Sequence, residues 1–469
     1  MKIRPMALII AAACTALGGC GGGGGSNVGA PQSYTVGGTV SGLLGGETLQ
    51  LLNNGTDTVS VAANGAFTFP TALAAGAPYA ITVSQQPTAA NCTVSQGSGT
   101  ASAAVTNVAV ACTPALVKRI ALFLDSGTGN LMNYLYDPST AALAPLALPE
   151  ATAGADPTAV TIDTSASRAF TLSFDKSSGS PIATLAGFNI GAGGLITPIN
   201  SQALGAQQGL ASALDMAGDA IYVLQSGAGT AATTLTAFPI DPTTGTIGTA
   251  GTSVTLPSAV STVMARNPAA DFLYVLDPSI GQVVAYNIGT NITSIIGMTI
   301  STVIATGKDP VALAFTPNGQ YLYVLNAFDN TVSIFSTSSS QARLTAVATP
   351  AISPAGTASQ NLSAVLVDPS GHFLYIYDAA NNAIDQYSIN QSTGELTPLS
   401  PATIPTTFSG SSAVKMSTAG TTTTGVLYAA VGNALYSWTI NPSNGQLTAG
   451  RPPQLTLPGT AINAMAFGQ

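Results

Sequence analysis

Charge is what this sequence has least of. Asp, Glu, Lys and Arg make up 6% of its 469 residues, and the net charge is −8 with eleven basic residues. Nucleic-acid binding needs a clustered basic surface that displaces counterions, and scattered cations do not make one. The same scarcity excludes electrostatic docking on anionic lipid. Histidine occurs once and cysteine four times, so zinc lacks a ligand set; no metal and no cofactor are expected. Mean hydropathy is positive, yet no apolar run beyond the N-terminus approaches the ~18 residues of a spanning helix. No Gly-x-Ser-x-Gly elbow sits between a strand and a helix, and no helix is evident. The surface must be covered by Ser, Thr, Asn, Gln and Gly.

The N-terminus reads as a targeting signal. Met1-Lys2-Ile3-Arg4 is the positive end and Pro5–Ala16 the short apolar stretch of a signal peptide over residues 1–19. It ends in Leu17-Gly18-Gly19-Cys20, which resembles the lipobox of bacterial lipoproteins. That resemblance implies that Cys20 becomes the acylated first residue, anchored in the membrane at about 0.8 kcal/mol per buried CH₂. Gly21 after the cysteine, rather than Asp, points by the same resemblance to the outer membrane, with the protein facing periplasm or cell surface. Residues 20–32 form a Gly-rich tether spanning about 20 Å root-mean-square. Cys14 leaves with the signal, so Cys92 and Cys112 remain. An even pair in an exported chain reads as a disulfide, worth roughly 3 kcal/mol for a loop of about 20 residues.

Residues 33–113 carry short alternating segments at Tyr34–Val40, Thr48–Leu52, Thr58–Ala62, Ala66–Phe69, Tyr79–Ser84 and Val108–Cys112. Asn53-Asn54-Gly55, Asn64-Gly65, Gly76-Ala77-Pro78 and Gly97-Ser98-Gly99 read as turns between them. This predicts a β-sandwich. The pattern resembles the Ig-like or prealbumin-like modules of bacterial surface lipoproteins, which implies a spacer role.

From residue 116 to 469 two columns repeat together. Leu122, Phe170, Tyr222, Tyr274, Tyr323, Tyr375 and Tyr428 centre one apolar strand in each unit, and Tyr134, Phe188, Phe238, Tyr286, Phe335, Tyr387 and Trp438 mark the next. Intervals of 48 to 54 residues in both columns are the mark of a radial β-repeat with one four-stranded blade per unit. The clearest unit runs Val311–Phe315, Pro317-Asn318-Gly319, Tyr321–Asn326 and Thr331–Phe335. Its innermost strand is near-continuously apolar, as expected of a strand covered on both faces. The first unit lacks such a strand before Ile120–Asp125, and the last nine residues, Ala461–Gln469, supply an orphan one. The expectation is an all-β chain: a sandwich, then a seven-bladed propeller closed by the C-terminal strand, leaving no free edges.

The stretches Val311–Phe335 and Asp368–Asp378 resemble the seven-bladed lactonase family and its non-catalytic surface-layer relatives. Catalytic members gather His, Arg and Glu at one end of the channel, so the resemblance directs attention to those types. His372 falls in the turn entering an outward strand. Glu47 lies in the sandwich, Glu150 in a connection and Glu395 in a third-to-fourth-strand turn; Arg119, Arg168, Arg266, Arg343 and Arg451 share no column. Asp125, Asp277, Asn326 and Asp378 end the second strands of units one, four, five and six, either as turn caps or as a rim of acceptors for Ca²⁺ or a sugar hydroxyl. Asp163, Asp215 and Asp368 occupy the turn column at the other face.

With the His/Glu/Arg set missing, the residues point to no catalytic group. The reading is a membrane-anchored, non-catalytic binding or scaffolding module for a protein or glycan partner. The alternative is a lactone hydrolase resembling 6-phosphogluconolactonase, and a second is an adhesin-like surface role. Function is expected on the face of the longer loops, Asp175–Pro181, Gln225–Ala232 and Ala346–Gln360.

Overall fold

The structure, a computed structural model, describes residues 32–468 apart from 44–46, 88–89, 115–118, 147–149, 178–180, 192, 207, 227–232, 252, 257–262, 289–299, 339, 341–342, 348–361, 408–413 and 460. The signal, the Cys20 anchor and most of the tether fall outside the described residues. So does most of the longer loops. Among the described residues every regular element is a β-strand.

The N-terminal strands form two four-stranded sheets. In one, Gly65–Thr68, Val36–Ser41, Val105–Pro114 and Ala90–Ser95 lie side by side. The other takes Asp57–Val61, Leu49–Asn53, Pro78–Gln85 and Ser98–Thr100 in that order. Val36, Leu49, Leu51, Phe67, Ile81 and Val108 fill the core, each supplied by the period-2 alternation of its strand. Cys92 and Cys112 sit directly opposite on adjacent strands and form a disulfide, with Cα atoms 3.9 Å apart. Ser98 and Gly99, expected within a Gly97-Ser98-Gly99 turn, instead belong to the strand Ser98–Thr100, paired with Pro78–Ala80. Ala90–Ser95 is a further strand, its buried Ala90 and Cys92 alternating with exposed Asn91 and Thr93.

The remaining strands form seven blades around a channel. Blade I joins both chain ends: Ile462–Phe467 innermost, then Ile120–Asp125, Asn130–Tyr136 and Leu143–Pro145. Blades II to VII follow as 157–205, 208–255, 264–305, 310–346, 362–405 and 415–456, each a four-stranded antiparallel sheet. The expected closure is present. Ala121 pairs with Phe467, Phe123 with Met465 and Leu124 with Ala464. The Phe467 ring stacks on Tyr428 at 4.9 Å and meets Phe123 and Tyr136 edge-on.

Burial departs from expectation in one respect. The second strands, such as Tyr321–Asn326 and Phe373–Asp378, are buried throughout, whereas the apolar innermost strands are half-exposed. They border the channel, so apolar composition there reflects small Ala and Val side chains rather than full coverage. Polar side chains bind neighbouring inner strands together: Thr158 Oγ1 donates to Gly209 O at 2.8 Å, Thr418 Oγ1 to Val367 O at 3.0 Å and Asn463 Nδ2 to Pro157 O at 2.9 Å.

The tyrosine column has a second use beyond packing. Tyr323 donates its hydroxyl to Gly394 O at 2.9 Å, Tyr375 to Gly445 O at 2.7 Å and Tyr428 to Ala141 O at 3.2 Å. Each acceptor lies in the third-to-fourth-strand turn of the next blade. Tyr222 likewise reaches Ile288 O of blade IV at 2.9 Å. A buried phenol needs such a partner, and here it staples one blade to its neighbour.

Candidate functional site

The innermost strands of blades II, III and IV end together at one mouth of the channel. Their last residues and following turns enclose a cavity of about 330 Å³ lined by Thr161, Asp163, Ser212, Asp215 and Arg266 among others. Two further grooves lie between outer strands: about 420 Å³ along blade II beside Thr152–Ala155, and about 470 Å³ between blades II and III. Of the three, the mouth cavity is the one that joins a carboxylate of shifted pKa to a guanidinium.

Asp163 is committed to its own turn. Its Oδ1 accepts from Ser167 N at 2.8 Å and Arg168 N at 3.0 Å, and its Oδ2 from Ser165 Oγ at 2.7 Å. Asp215 holds the equivalent turn of blade III with Oδ1, which accepts from Asp219 N at 3.0 Å and Ala220 N at 3.3 Å. Desolvation, and then the adjacent Asp219 carboxyl, push its pKa up to about 6. That places it where a carboxylate is both ionised at neutral pH and basic enough to take a proton. Arg266 is half-buried; desolvation lowers its pKa, countered by the charges of Asp271 and Asp215. It donates Nη1 to Asn267 O at 2.8 Å.

The support beneath Arg266 comes from the next blade. Asn267 is buried, takes Ala269 N on Oδ1 at 2.8 Å and donates Nδ2 to Gly319 O at 3.2 Å. Gly319 turns with φ +67, and a Cβ there would meet Asn267 Oδ1 at 2.1 Å. The Pro317-Asn318-Gly319 turn therefore requires glycine both for its conformation and for this approach.

The residues singled out from the family pattern are not gathered. His372 is exposed, with Nδ1 3.0 Å from Ser370 Oγ. Glu150 accepts from Asn130 Nδ2 at 2.8 Å and Glu395 from Thr393 Oγ1 at 3.2 Å, both at the surface. Glu47 is buried in the sandwich. Arg168 turns its guanidinium outward to Pro242 O. Arg343 is exposed, and Arg119 borders a separate cleft between sandwich and blade I.

The acceptor column at the opposite rim caps turns. Asp125 takes Gly127 N, Thr128 N and, across the ring closure, Ala461 N at 3.2 Å. Asp277 takes Ser279 N and Oγ; Asp378 takes Ala380 N and Asn381 N. Asn326 donates to Thr331 and Ser333 hydroxyls at 3.1 and 3.0 Å. Beside Asp378, Asp385 is 1% exposed, and neither of its carboxyl oxygens has a hydrogen-bond partner. Burial, and then the Asp378 charge, push its pKa up to about 7.

Arg266 had a signal in the sequence that residue type alone obscured. Aligned by blade, its position is Ile162, Leu214, Phe315, Val367, Thr418 and Phe467 elsewhere. A lone guanidinium in an otherwise uncharged column at the channel mouth is the exception that marks the site. The cavity also lies on the short-turn face, not the long-loop face expected to carry function.

Several solved structures share the propeller. One, from Bacteroides uniformis ATCC 8492 and described provisionally as a 6-phosphogluconolactonase, is 17% identical with a TM-score of 0.60, covering 74% of this chain and 99% of that one. The Pseudomonas aeruginosa periplasmic gluconolactonase PpgL is 15% identical with a TM-score of 0.60, covering 75% and 99%. A Lactobacillus plantarum protein is 16% identical with a TM-score of 0.57, covering 75% and 99%. No curated protein sequence matches the chain. Residues 120–412 match the family model described as "Lactonase, 7-bladed beta-propeller". That match overturns the expectation of a non-catalytic binding or scaffolding module. The expectation rested on the absence of a His/Glu/Arg set, and it overlooked an Asp and an Arg brought together from separate blades. Because the match spans more than half of its length, the chain belongs to the seven-bladed β-propeller lactonase family.

Proposed function

We propose that the protein hydrolyses a small lactone in the cavity at the mouth of blades II, III and IV. The observation that carries this reading is Asp215, with its pKa near 6, beside Arg266 in a cavity of sugar-ring size. Ring opening needs a base for the attacking water and a stabiliser for the carbonyl oxygen as it becomes anionic. Asp215 takes the water proton as the new C–O bond forms. Arg266 faces the developing oxyanion. When the tetrahedral intermediate collapses, the ring C–O bond breaks and Asp215 returns the proton to the departing alkoxide. Names of the structural relatives agree with this chemistry.

The test is hydrolysis of glucono-1,5-lactone by the delipidated protein, corrected for the spontaneous reaction. Asp215→Asn should lower kcat about 100-fold or more, and Arg266→Gln comparably, while His372→Ala has no effect. Activity should rise with pH through a limb near 6, set by Asp215. Unchanged kcat in Asp215→Asn would sink the assignment. We also place the enzyme in the cell envelope, anchored through Cys20; a mature N-terminus lacking the acylated cysteine, read by mass spectrometry, would contradict this.

A further inference from the structure

We propose that the channel mouth is an anion-excluding gate, so that the substrate is an uncharged lactone and its acid product is expelled. This rests on the hydrolase reading of the same cavity.

Charge balance carries the argument. Among the described residues Arg266 is the cation of the cavity wall, and four carboxylates lie on or beside that wall. Asp163 and Asp215 line the same cavity, Asp219 touches Asp215 electrostatically, and Asp271 is close enough to act on Arg266. Asp271 is held in place across the blade boundary, where its Oδ1 accepts Met216 N at 3.3 Å. Arg168, the next cation on this rim, turns its head to Pro242 O. The mouth is thus net negative even with Asp215 protonated.

A phosphorylated lactone would bring about −1.5 to −2 charges to this wall. Its phosphate wants a fork of guanidinium or backbone donors, but one shared Arg266 is already balanced by Asp215 and Asp271. An unphosphorylated lactone carries no charge and meets no such barrier. Hydrolysis then creates a carboxylate, which the same aspartates repel. The gate admits the substrate and favours departure of the product.

The experiment compares glucono-1,5-lactone with its 6-phosphate on the intact protein at about 0.01 M and about 1 M salt, between which the Debye length falls from ~30 to ~3 Å. At low salt kcat/KM should favour the neutral lactone by more than about 10-fold. High salt should narrow that ratio several-fold by screening the repulsion. Asp271→Asn, which keeps an acceptor for Met216 N, should raise the phosphate-to-neutral ratio and lower the inhibition constant of gluconate. Equal or faster turnover of the phosphate, or a ratio indifferent to salt, overturns the gate and leaves the hydrolase reading intact. Turnover of neither lactone overturns the hydrolase reading and the gate with it.

Discussion

In blades III, V, VI and VII the central tyrosine of the second strand reaches the next blade through its hydroxyl; in blades I and II the same position is Leu122 and Phe170, which have no hydroxyl to give. The outer grooves and the charged mouth described above border blades I to IV. One repeat thus serves two ends. From blade V round to blade I the staples run from blade to blade. Among blades I to IV the described residues carry a staple at the III–IV boundary alone, and the cavities lie beside these blades. Interior polar groups left unpaired are costly, so a site that must offer free donors and acceptors belongs in the more open half.

The largest test of this contrast removes what both halves share. Deleting 461–469 strips the inner strand from blade I, leaving Ile120–Asp125 with an open edge and Phe123 and Tyr428 without Phe467. The melting temperature should fall by about 10 °C or more, or the protein should aggregate. Melting like the intact chain would mean that the halves do not depend on closure.

Next in size is the buried acid of the stapled half. The carboxyl of Asp385, unfolded near 3.9, titrates near 7 when folded. Between those values the folded protein binds a proton that the unfolded chain lacks, so stability falls as pH rises from about 4 to 7 and stays reduced above. Asp385→Asn should gain on the order of 2–4 kcal/mol at pH 8 and almost nothing at pH 4. Equal gains in denaturant titrations at both pH values would refute the buried charge as the cause.

The staples themselves come third. Tyr375→Phe and Tyr323→Phe each leave a buried carbonyl without its donor, and each should cost about 1–2 kcal/mol. Phe170→Tyr, in the open half, should bring no gain and a loss of about 1 kcal/mol. A rise in melting temperature for that variant would show that the open half accepts a staple, and that the contrast is not built into its backbone.

Blade number, ring closure and the disulfide pair were legible because each is written as a pattern along the chain. A two-residue alternation marks a strand, a spacing near 50 marks a blade, and a missing first strand with a spare last one marks closure. Ser98–Thr100 was not, since its small Ser, Gly and Thr carry no apolar alternation and pairing with Pro78–Ala80 holds the strand; Ala90–Ser95 does alternate, but over only three apolar residues. The rim residues Asp125, Asp277 and Asp378 were legible as turn caps for a local reason, each bonding backbone two or three residues ahead.

What the sequence by itself determined is therefore the repeat: seven blades, a closing strand and a column of interior aromatics, because burial and turn chemistry act over a few residues at a time. Only the tertiary structure decided that Asp215 and Arg266, in different blades and 51 positions apart, share one cavity with Asp163. Curving the sheets into a ring converts separation along the chain into adjacency across a channel. The desolvation that moves the Asp215 proton exists only once the blades have met.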